Sequence, residues 1–189
     1  MSSMITVAPS VEPVTLQEAK DHLEISDDLH DSKIELMIRS AREKAETITQ
    51  RSLITRTVEH VRSAFADQMC LPFAPLIDVS NIAYIDSDGA PQTLATSIYD
   101  VDNRSHVVSV RLAYGESWPS VRPVYNAITI TYTAGYGANA QDIPAPIRSA
   151  MLLMIGHLFE DREEVSHVKL YSVPMGARNL LAPYRMVTV

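Results

Sequence analysis

Four side chains close to the end of a long apolar stretch have the types that bind metal ions. They are His157, Glu160, Glu164 and His167, which would follow one side of a continuing helix. At about 1.5 Å of rise per residue the two histidines are roughly 15 Å apart along the axis, too far to share an ion held at about 2 Å. A site built on His157 and Glu160 needs ligands from elsewhere in the chain. A small metal-dependent hydrolase using these two residues is therefore the alternative function, and a solvated acidic helix end is the interpretation we favour.

Two glycines in front of the same apolar stretch raise the question of a phosphate-binding loop. A phosphate loop needs glycines directly at the helix start with a Lys and a Ser or Thr, and a dinucleotide fingerprint needs a third glycine. After Gly135 and Gly137 the sequence continues "ANA" and then reaches Asp142. A carboxylate capping the helix at Asp142 would repel a phosphate from its N-terminus. We therefore expect the glycines to end a strand.

Other candidates for chemistry are weaker still. The segment "DSDG", residues 86 to 89, resembles the start of a calcium loop, but the later ligand positions are Ala90 and Ser97. A hairpin turn through Asp88 and Gly89 explains it better. The chain has no G-x-S-x-G motif, and no motif surrounds Cys70, its single cysteine. The sequence predicts no catalytic residue, no metal and no cofactor, so we expect a protein that is not an enzyme.

The elements that would position these residues begin with two helices. Thr15 and Glu18 have the spacing of a capping box, which predicts a helix over residues 16 to 24. Asp27 or Asp28 is the expected cap of a second, amphipathic helix that runs to about residue 50. Its predicted buried face carries Ile34, Met37, Ile38, Ala41, Ala45 and Ile48. Its predicted outer face carries Lys33, Glu35, Arg39, Arg42, Glu43 and Glu46.

The middle of the chain has the composition of β-strands. Four runs are rich in β-branched and aromatic residues, namely "ITRTVEHV", "IDVSNIAYID", "HVVSVRLAY" and "AITITYTA". Turn signals separate them, and no crossover helix lies between them, which predicts antiparallel pairing.

A helix from Asp142 to about residue 165 follows the strands. One face carries Ile143, Ile147, Ala150, Met151, Met154 and Leu158. Further apolar residues fall elsewhere on the same helix, at Leu152, Leu153, Ile155 and Phe159. A helix that is apolar on most of its circumference is buried on several sides, either in its own domain or against another subunit. Leu152, Leu153, Ile155 and Phe159 are therefore candidates for self-association.

The order of helices, β insert and helices predicts one α+β domain over residues 1–189, a helical core with an antiparallel β insert. The predicted parts are N-terminal helices over 13–52, the β insert over 53–134, a core helix over 142–165 and a C-terminal segment over 174–189. The last part has room for a short helix between prolines.

Charge and composition limit the partners. The 189 residues carry a formal net charge of -7. Nucleic-acid binding through phosphates needs clustered Lys and Arg, and the sequence has no basic stripe with interleaved aromatics. A DNA-end binder in a packaging complex stays open as a further alternative, and it would bind in a strongly salt-dependent way. The N-terminus lacks the pattern of a signal peptide, and no apolar run approaches the roughly 20 residues that span a bilayer, so no membrane partner is expected.

Six segments in order resemble a known family. They are "VTLQEAKDHLEI", "DDLHDSKIELMIRSAREKAETITQRSLI", "LPFAPLIDVSNIAYIDSDG", "ITITYTAGYG", "IPAPIRSAMLLMIGHLFEDRE" and "VPMGARNLLAPYR". Together they cover about residues 13 to 185. In this order they resemble the head-tail connector (adaptor) proteins of long-tailed bacteriophages and gene transfer agents.

The resemblance implies a structural role in the virion. Proteins of this kind form a ring, commonly of twelve copies, under the portal protein, and extend the DNA channel toward a tail-side connector or tail terminator protein. DNA would pass through without specific binding. The protein would be made in the host cytoplasm and reside at the head-tail junction. The resemblance also implies a partner-binding segment, and carried onto this chain it comprises Pro174, Gly176, Leu180, Leu181, Pro183, Tyr184 and Arg185.

Overall fold

A computed structural model describes residues 2–5, 9, 11–103, 107–160 and 174–186, with residues 2–5 described as backbone only. The chain divides into two compact units. In the described part, a helical unit contains residues 11–54, 136–160 and 174–185, and a β unit contains residues 2–5, 9, 55–103, 107–135 and 186.

The helical unit has four α-helices in its described part. They are α1 (Leu16–His22), α2 (Asp31–Thr49), α3 (Ala145–Glu160) and α4 (Met175–Leu181). Short 3-10 turns cover Ala140–Asp142 and Ala182–Tyr184. One apolar core joins all four helices, with Ile34, Leu53, Ile147, Met151 and Leu181 among its most buried residues. None of the helices in the described residues is both long and apolar enough to cross a membrane.

The start of α1 confirms the capping box. The Glu18 backbone N–H donates to Thr15 Oγ1 at 3.2 Å, and the Thr15 N–H donates to Glu18 Oε2 at 2.9 Å. The two bonds satisfy N–H groups that a helix start leaves without partners. The helix ends at His22 rather than at residue 24, because Glu24 has a positive φ of 57° that the helix cannot continue through.

The start of α2 differs from the prediction. Neither Asp27 nor Asp28 caps it, since the helix begins at Asp31 and His30 occupies the cap position without a side-chain bond. Asp27 Oδ1 instead accepts the N–H of Leu29 at 3.0 Å. Asp28 Oδ1 lies 2.7 Å from Lys20 Nζ, so the Asp28 carboxylate pairs with a side chain of α1 instead of capping α2. The local pattern predicted a helix cap at Asp27 or Asp28, but the Asp28 side chain pairs with Lys20 of α1 instead.

Burial along α2 confirms most of the apolar face and corrects part of the polar one. The predicted core residues are buried, with Ile48 partly so. Arg42 and Glu46, predicted to be outside, are both buried. Arg42 Nε contacts Glu12 Oε2 at 2.8 Å and Arg42 Nη1 contacts Glu46 Oε2 at 3.3 Å. Glu46 Oε1 also accepts the Leu53 N–H at 3.1 Å, so the charges are buried because they have partners.

The β unit contains two antiparallel sheets. The strands are β1 (Ser2–Ile5), β2 (Arg56–Arg62), β3 (Gln68–Cys70), β4 (Leu76–Ile85), β5 (Pro91–Thr93), β6 (Tyr99–Asp102), β7 (Ser109–Leu112) and β8 (Ile128–Ala134). The larger sheet has the order β1-β2-β8-β4-β5 and the smaller one β3-β7-β6. Their shared core includes Val58, Met69, Ile82, Ile130 and Tyr132.

The four predicted strand regions correspond to β2, β4, β7 and β8, and every strand ladder in the described part is antiparallel, as predicted. The α+β class is confirmed. The "DSDG" segment forms the turn between β4 and β5, where Gly89 has a φ of +93°. That backbone conformation favours glycine, because a side chain there is strained.

Candidate assembly surfaces

The Asp142 carboxylate forms a hydrogen bond in the segment that precedes α3. Asp142 ends a 3-10 turn, and its Oδ2 accepts the Asn139 N–H at 2.9 Å. The helix itself begins three residues later, at Ala145, so Asp142 does not cap it as predicted. A Cβ on Gly137 would collide with the Asp142 carboxylate. Gly137 therefore permits a close approach between backbone and carboxylate, and this geometry agrees with a structural role for the glycine.

The structure separates the four residues predicted for self-association. Ile155 is 0% exposed and lies in the core of the helical unit. Leu153 is 40% exposed, and Leu152 and Phe159 are partly buried at the edge of the core. Leu158, predicted to be on the core face, is exposed in the last turn of α3. A neighbouring copy can therefore contact Leu152, Leu153 and Phe159 but not Ile155 in this conformation.

Phe159 is partly covered by the helical unit itself. Its ring meets that of His30 edge to face, with centroids 5.7 Å apart, and Lys33 Nζ lies 5.1 Å from the ring centroid. Both neighbours belong to the start of α2. A cation this close to an aromatic face is attracted to it, so Phe159 has a fixed position at the end of α3.

The predicted partner-binding segment is folded onto the helical unit. Ala177 and Leu181 of α4 are fully buried, and Leu180 and Tyr184 pack at the edge of the core. The remaining predicted residues stay outward, Pro174 half-buried and Gly176, Pro183 and Arg185 exposed.

Arg51 secures the end of this segment. Arg51 Nε donates to the Tyr184 carbonyl oxygen at 2.6 Å. Burial raises the pKa of the nearby Tyr136 hydroxyl, and the charge of Arg51 opposes that rise. No local pattern signals this anchor, because Arg51 and Tyr184 are far apart in the chain.

Leu153, predicted for self-association, and Gly176, predicted for partner binding, lie at the contact between α3 and α4. A Cβ on Gly176 would be 3.5 Å from Leu153 Cδ1, so the two helices meet there. Met175, next to Gly176, is 63% exposed. We call Leu153, Met175, Gly176 and the exposed Arg178 the α3–α4 face. Sequence reasoning missed Met175 and Arg178, whose only signal was their position at the start of the short helix after Pro174.

Ion pairs fix the acidic N-terminal part of the helical unit. Arg148 of α3 donates from Nε to the Pro13 carbonyl at 3.1 Å and from Nη2 to Glu18 Oε1. The backbone N–H of Thr15 lowers the pKa of Glu18, and Arg148 contributes in the same direction. Lys20 is buried between Asp28 and Asp31, and its hydrogen bond to Asp28 raises its pKa.

The residues singled out for metal binding do not form a cluster. His157 is half-buried and Glu160 is exposed at the end of α3, whereas Glu164 and His167 lie outside the described residues. Within the described part, no group of three or more His, Cys, Asp or Glu side chains is placed to hold a metal ion.

The "DSDG" carboxylate is used inside its own turn. Asp86 Oδ1 accepts the N–H groups of Asp88 and Ala90 at 3.0 and 2.9 Å, and Oδ2 accepts from Gln92 Nε2 at 2.9 Å. The bond from Gln92 lowers the pKa of Asp86, with the turn N–H groups adding to the effect. These bonds are those of a hairpin turn.

Comparison with known proteins finds one family model that is similar to part of this chain. Residues 13–100 match the family model described as "Phage gp6-like head-tail connector protein". The resemblance seen in the sequence is thus confirmed over these residues, which are a little under half of the chain. No curated protein sequence matches the chain.

Solved structures show the same fold over the whole chain. A chain in the "Neck of empty GTA particle computed with C6 symmetry" is 22% identical with a TM-score of 0.84. Chains in the "Virion of native gene transfer agent (GTA) particle" and the "Neck of native GTA particle computed with C12 symmetry" are 23% and 24% identical, with TM-scores of 0.81 and 0.79. Each match covers 100% of this chain and 97% of the other.

Proposed function

We propose that the protein is a head-tail connector subunit that forms a ring under the portal protein of a phage-like particle. The observation that carries the proposal is the fold match over 100% of this chain to subunits of particle necks. One of these necks was computed with C6 symmetry and the other with C12 symmetry, which supports a rotationally symmetric assembly for a chain of the same fold. A ring of twelve copies fits both symmetries. The family match over residues 13–100 supports the same role independently.

In this role the ring joins the capsid to the tail and lengthens the DNA channel, and the protein resides at the head-tail junction of the virion. The two units act as one connector subunit, with the helical unit as its core and the strands between residues 55 and 135 as an insert. A tail-side connector or tail terminator protein is its second partner. A net charge of -7 suits a wall past which DNA moves, because like charges repel.

Two surfaces divide the contacts. Copies meet through Leu152, Leu153 and Phe159, with Ile155 supporting them from within the core. The portal protein binds the segment that presents Pro174, Leu180, Pro183, Tyr184 and Arg185, while Leu181 anchors the segment to the core and Gly176 lies where the segment adjoins the contact between copies. Since Leu181 and Arg51 already hold the segment in place, a partner would not have to order it on binding, which favours affinity.

Electron microscopy of the protein mixed with the portal protein of the same particle tests the proposal. We expect rings of the connector on one end of the portal. A protein that does not associate with this portal under any mixing condition would contradict the proposed function.

Point variants test the portal-binding segment. Pro183→Asp places a charge on an exposed position of the segment and is expected to weaken portal binding at least about tenfold. Ser117→Asp makes an equal change of charge at an exposed position in the β unit, and it should bind as the wild type does. Equal binding by all three proteins would remove the segment from the interface.

A further inference from the structure

The α3–α4 face carries apolar side chains that are exposed in the part of the helical unit that the structure describes. Leu153 and Met175 are 40% and 63% exposed. Gly176, next to Met175 in the chain, has no side chain, and a Cβ there would lie 3.5 Å from Leu153 Cδ1. Exposed large apolar side chains that adjoin one another are typical of interaction sites.

The α4 side of this face is positively charged, whereas α3 contributes the exposed Glu160, two turns beyond Leu153. Arg178 follows Met175 by three residues, which places the two on neighbouring positions of α4. Residues 174–185 contain Arg178 and Arg185 and no Asp or Glu. A partner for this face should therefore combine an apolar side chain with carboxylates.

The connection between α1 and α2 has that combination. Leu29 is 83% exposed, and residues 21–31 contain five carboxylates and no Lys or Arg. Lys20 already pairs with two of them, Asp28 and Asp31. Asp21, Glu24 and Asp27 are exposed within the same stretch of chain, and Asp21 Oδ1 accepts a hydrogen bond from Gln17 Nε2 at 2.7 Å.

The loop is also fixed before any partner arrives. Asp27 Oδ1 accepts the Leu29 N–H at 3.0 Å, and the Lys20 pairs hold the loop to α1 and α2. A leucine held outward in a ready conformation loses little entropy on docking.

We propose that Leu29 and the carboxylates around it in one copy dock on the α3–α4 face of a second copy, with Leu29 against Leu153 and Met175 and the carboxylates beside Arg178. Charge complementarity between Arg178 and the carboxylates of the same chain is the argument for another copy as the occupant. Two different surfaces meeting in this way can continue from copy to copy and close a ring. The inference rests on the proposed connector function, of which it specifies the self-contact.

Disulfide trapping between two variants tests the contact. In a Cys70→Ser background, which removes the single native cysteine, Leu29→Cys and a size-tagged Met175→Cys are mixed at high concentration in a redox buffer. We expect the disulfide-linked dimer of these two variants to form at least about tenfold faster than the dimer of Leu29→Cys with Tyr125→Cys, a control at a 93% exposed position of the β unit. Reactivity of each thiol with iodoacetamide corrects for intrinsic differences. Because brief encounters are trapped, the test does not need a stable ring.

Charge reversal makes the test specific. Adding Asp21→Lys and Glu24→Lys to the Leu29→Cys protein should slow dimer formation about tenfold, and adding Arg178→Glu and Asn179→Glu to the Met175→Cys protein should do the same. Combining both reversed proteins should restore the rate. Asp88→Lys with Glu116→Lys changes the charge equally in the β unit and should leave the rate unchanged.

A trapping rate equal to that of the Tyr125→Cys control, or a rate that the two reversals together do not restore, would overturn the proposed contact. Portal binding is measured separately on the wild-type protein. Failed trapping with retained portal binding would reject the contact alone, whereas successful trapping without portal binding would reject the connector function and keep the self-contact.

Discussion

Gly137 shows how one missing side chain shapes the entrance to α3. The Asp142 carboxylate occupies the space where a Cβ of residue 137 would lie, and it uses that position to accept the Asn139 N–H. The close approach requires a residue without a side chain. The requirement is steric and local to the helical unit.

Gly137→Ala is expected to lower the free energy of unfolding by about 1–3 kcal/mol, because the added methyl group displaces the Asp142 carboxylate. Urea unfolding measures the change. In an Asp142→Ala background the same substitution should cost less, since the colliding group is gone. Equal costs in both backgrounds would show that the collision is not the cause.

Arg42 holds three parts of the helical unit through charge. It contacts Glu12 before α1 and Glu46 one turn along α2, and Glu46 in turn accepts the N–H of Leu53 after α2. Breaking the buried pair of Arg42 and Glu46 by removing one partner costs more free energy than the intact pair contributes to stability.

Arg42→Met should lower the free energy of unfolding by about 3 kcal/mol, because it breaks the buried ion pair between Arg42 and Glu46. Glu43→Gln is the matched control, since Glu43 lies 3.7 Å from Arg42 but has a largely exposed side chain. We expect it to change stability by less than about 0.5 kcal/mol. Chemical denaturation of both variants compares them, and similar small effects would argue against a structural role for the buried charges.

At the scale of elements, α4 has a buried side and an outward side with different roles. Ala177 and Leu181 complete the core, whereas Met175 and Arg178 belong to the α3–α4 face. Deleting everything after residue 173 would therefore remove core residues together with surface residues. Single substitutions separate the two.

Leu181→Ala is expected to lower the free energy of unfolding by about 2–5 kcal/mol, because it leaves a cavity under α4. Met175→Ala should leave stability within about 0.5 kcal/mol of the wild type. Thermal and urea unfolding followed by circular dichroism make the comparison. If Leu181→Ala were as stable as Met175→Ala, α4 would not be docked on the core as described.

Elements with a strong local signal could be predicted from the sequence, and elements fixed by distant contacts could not. The Thr15 capping box and the apolar period of α2 lie within a few residues, so local patterns predict them correctly. The strands β3 and β5 have three residues each and exist through their ladders, leaving too short a pattern to detect. Arg42 is buried in contact with Glu12, which is thirty positions away in the sequence. Asp28 does not cap α2, because its carboxylate binds Lys20 of another helix. Of the predicted surface residues, Ile155 and Leu181 proved to be core residues, because helix periodicity alone does not say which neighbour covers a side.

At the scale of the whole molecule, ionisable groups set how stability depends on pH. Burial lowers the pKa of His60 in β2 from its ordinary value of 6.5, and the charge of Arg62 adds to this. Hydrogen bonds lower the pKa of Glu18, Asp28 and Asp86, whose ordinary values are 4.5, 3.8 and 3.8. In every case the unfolded chain binds protons more readily than the folded one, so stability rises with pH.

The contribution of His60 should therefore be complete at neutral pH, above its ordinary pKa of 6.5, and stability should decline as the pH falls from there toward the folded pKa of His60. A second decline should follow as the pH falls through the folded pKa values of the three carboxyl groups. His60→Gln should remove the first decline and keep the second. Melting temperatures across neutral and acidic pH check this, and an unchanged first decline in the variant would assign it to another group.

Residues 53–54 and 136–137 of the helical unit, which flank the chain segment of the β unit, lie next to each other. Ile54 forms a bridge with Gly137, and the Tyr136 N–H donates to the Leu53 carbonyl at 3.2 Å. Closing a loop costs little extra when its ends are already neighbours, whatever length of chain runs between them. A change in the length of chain between these residues should therefore cost the helical unit little in loop-closure entropy.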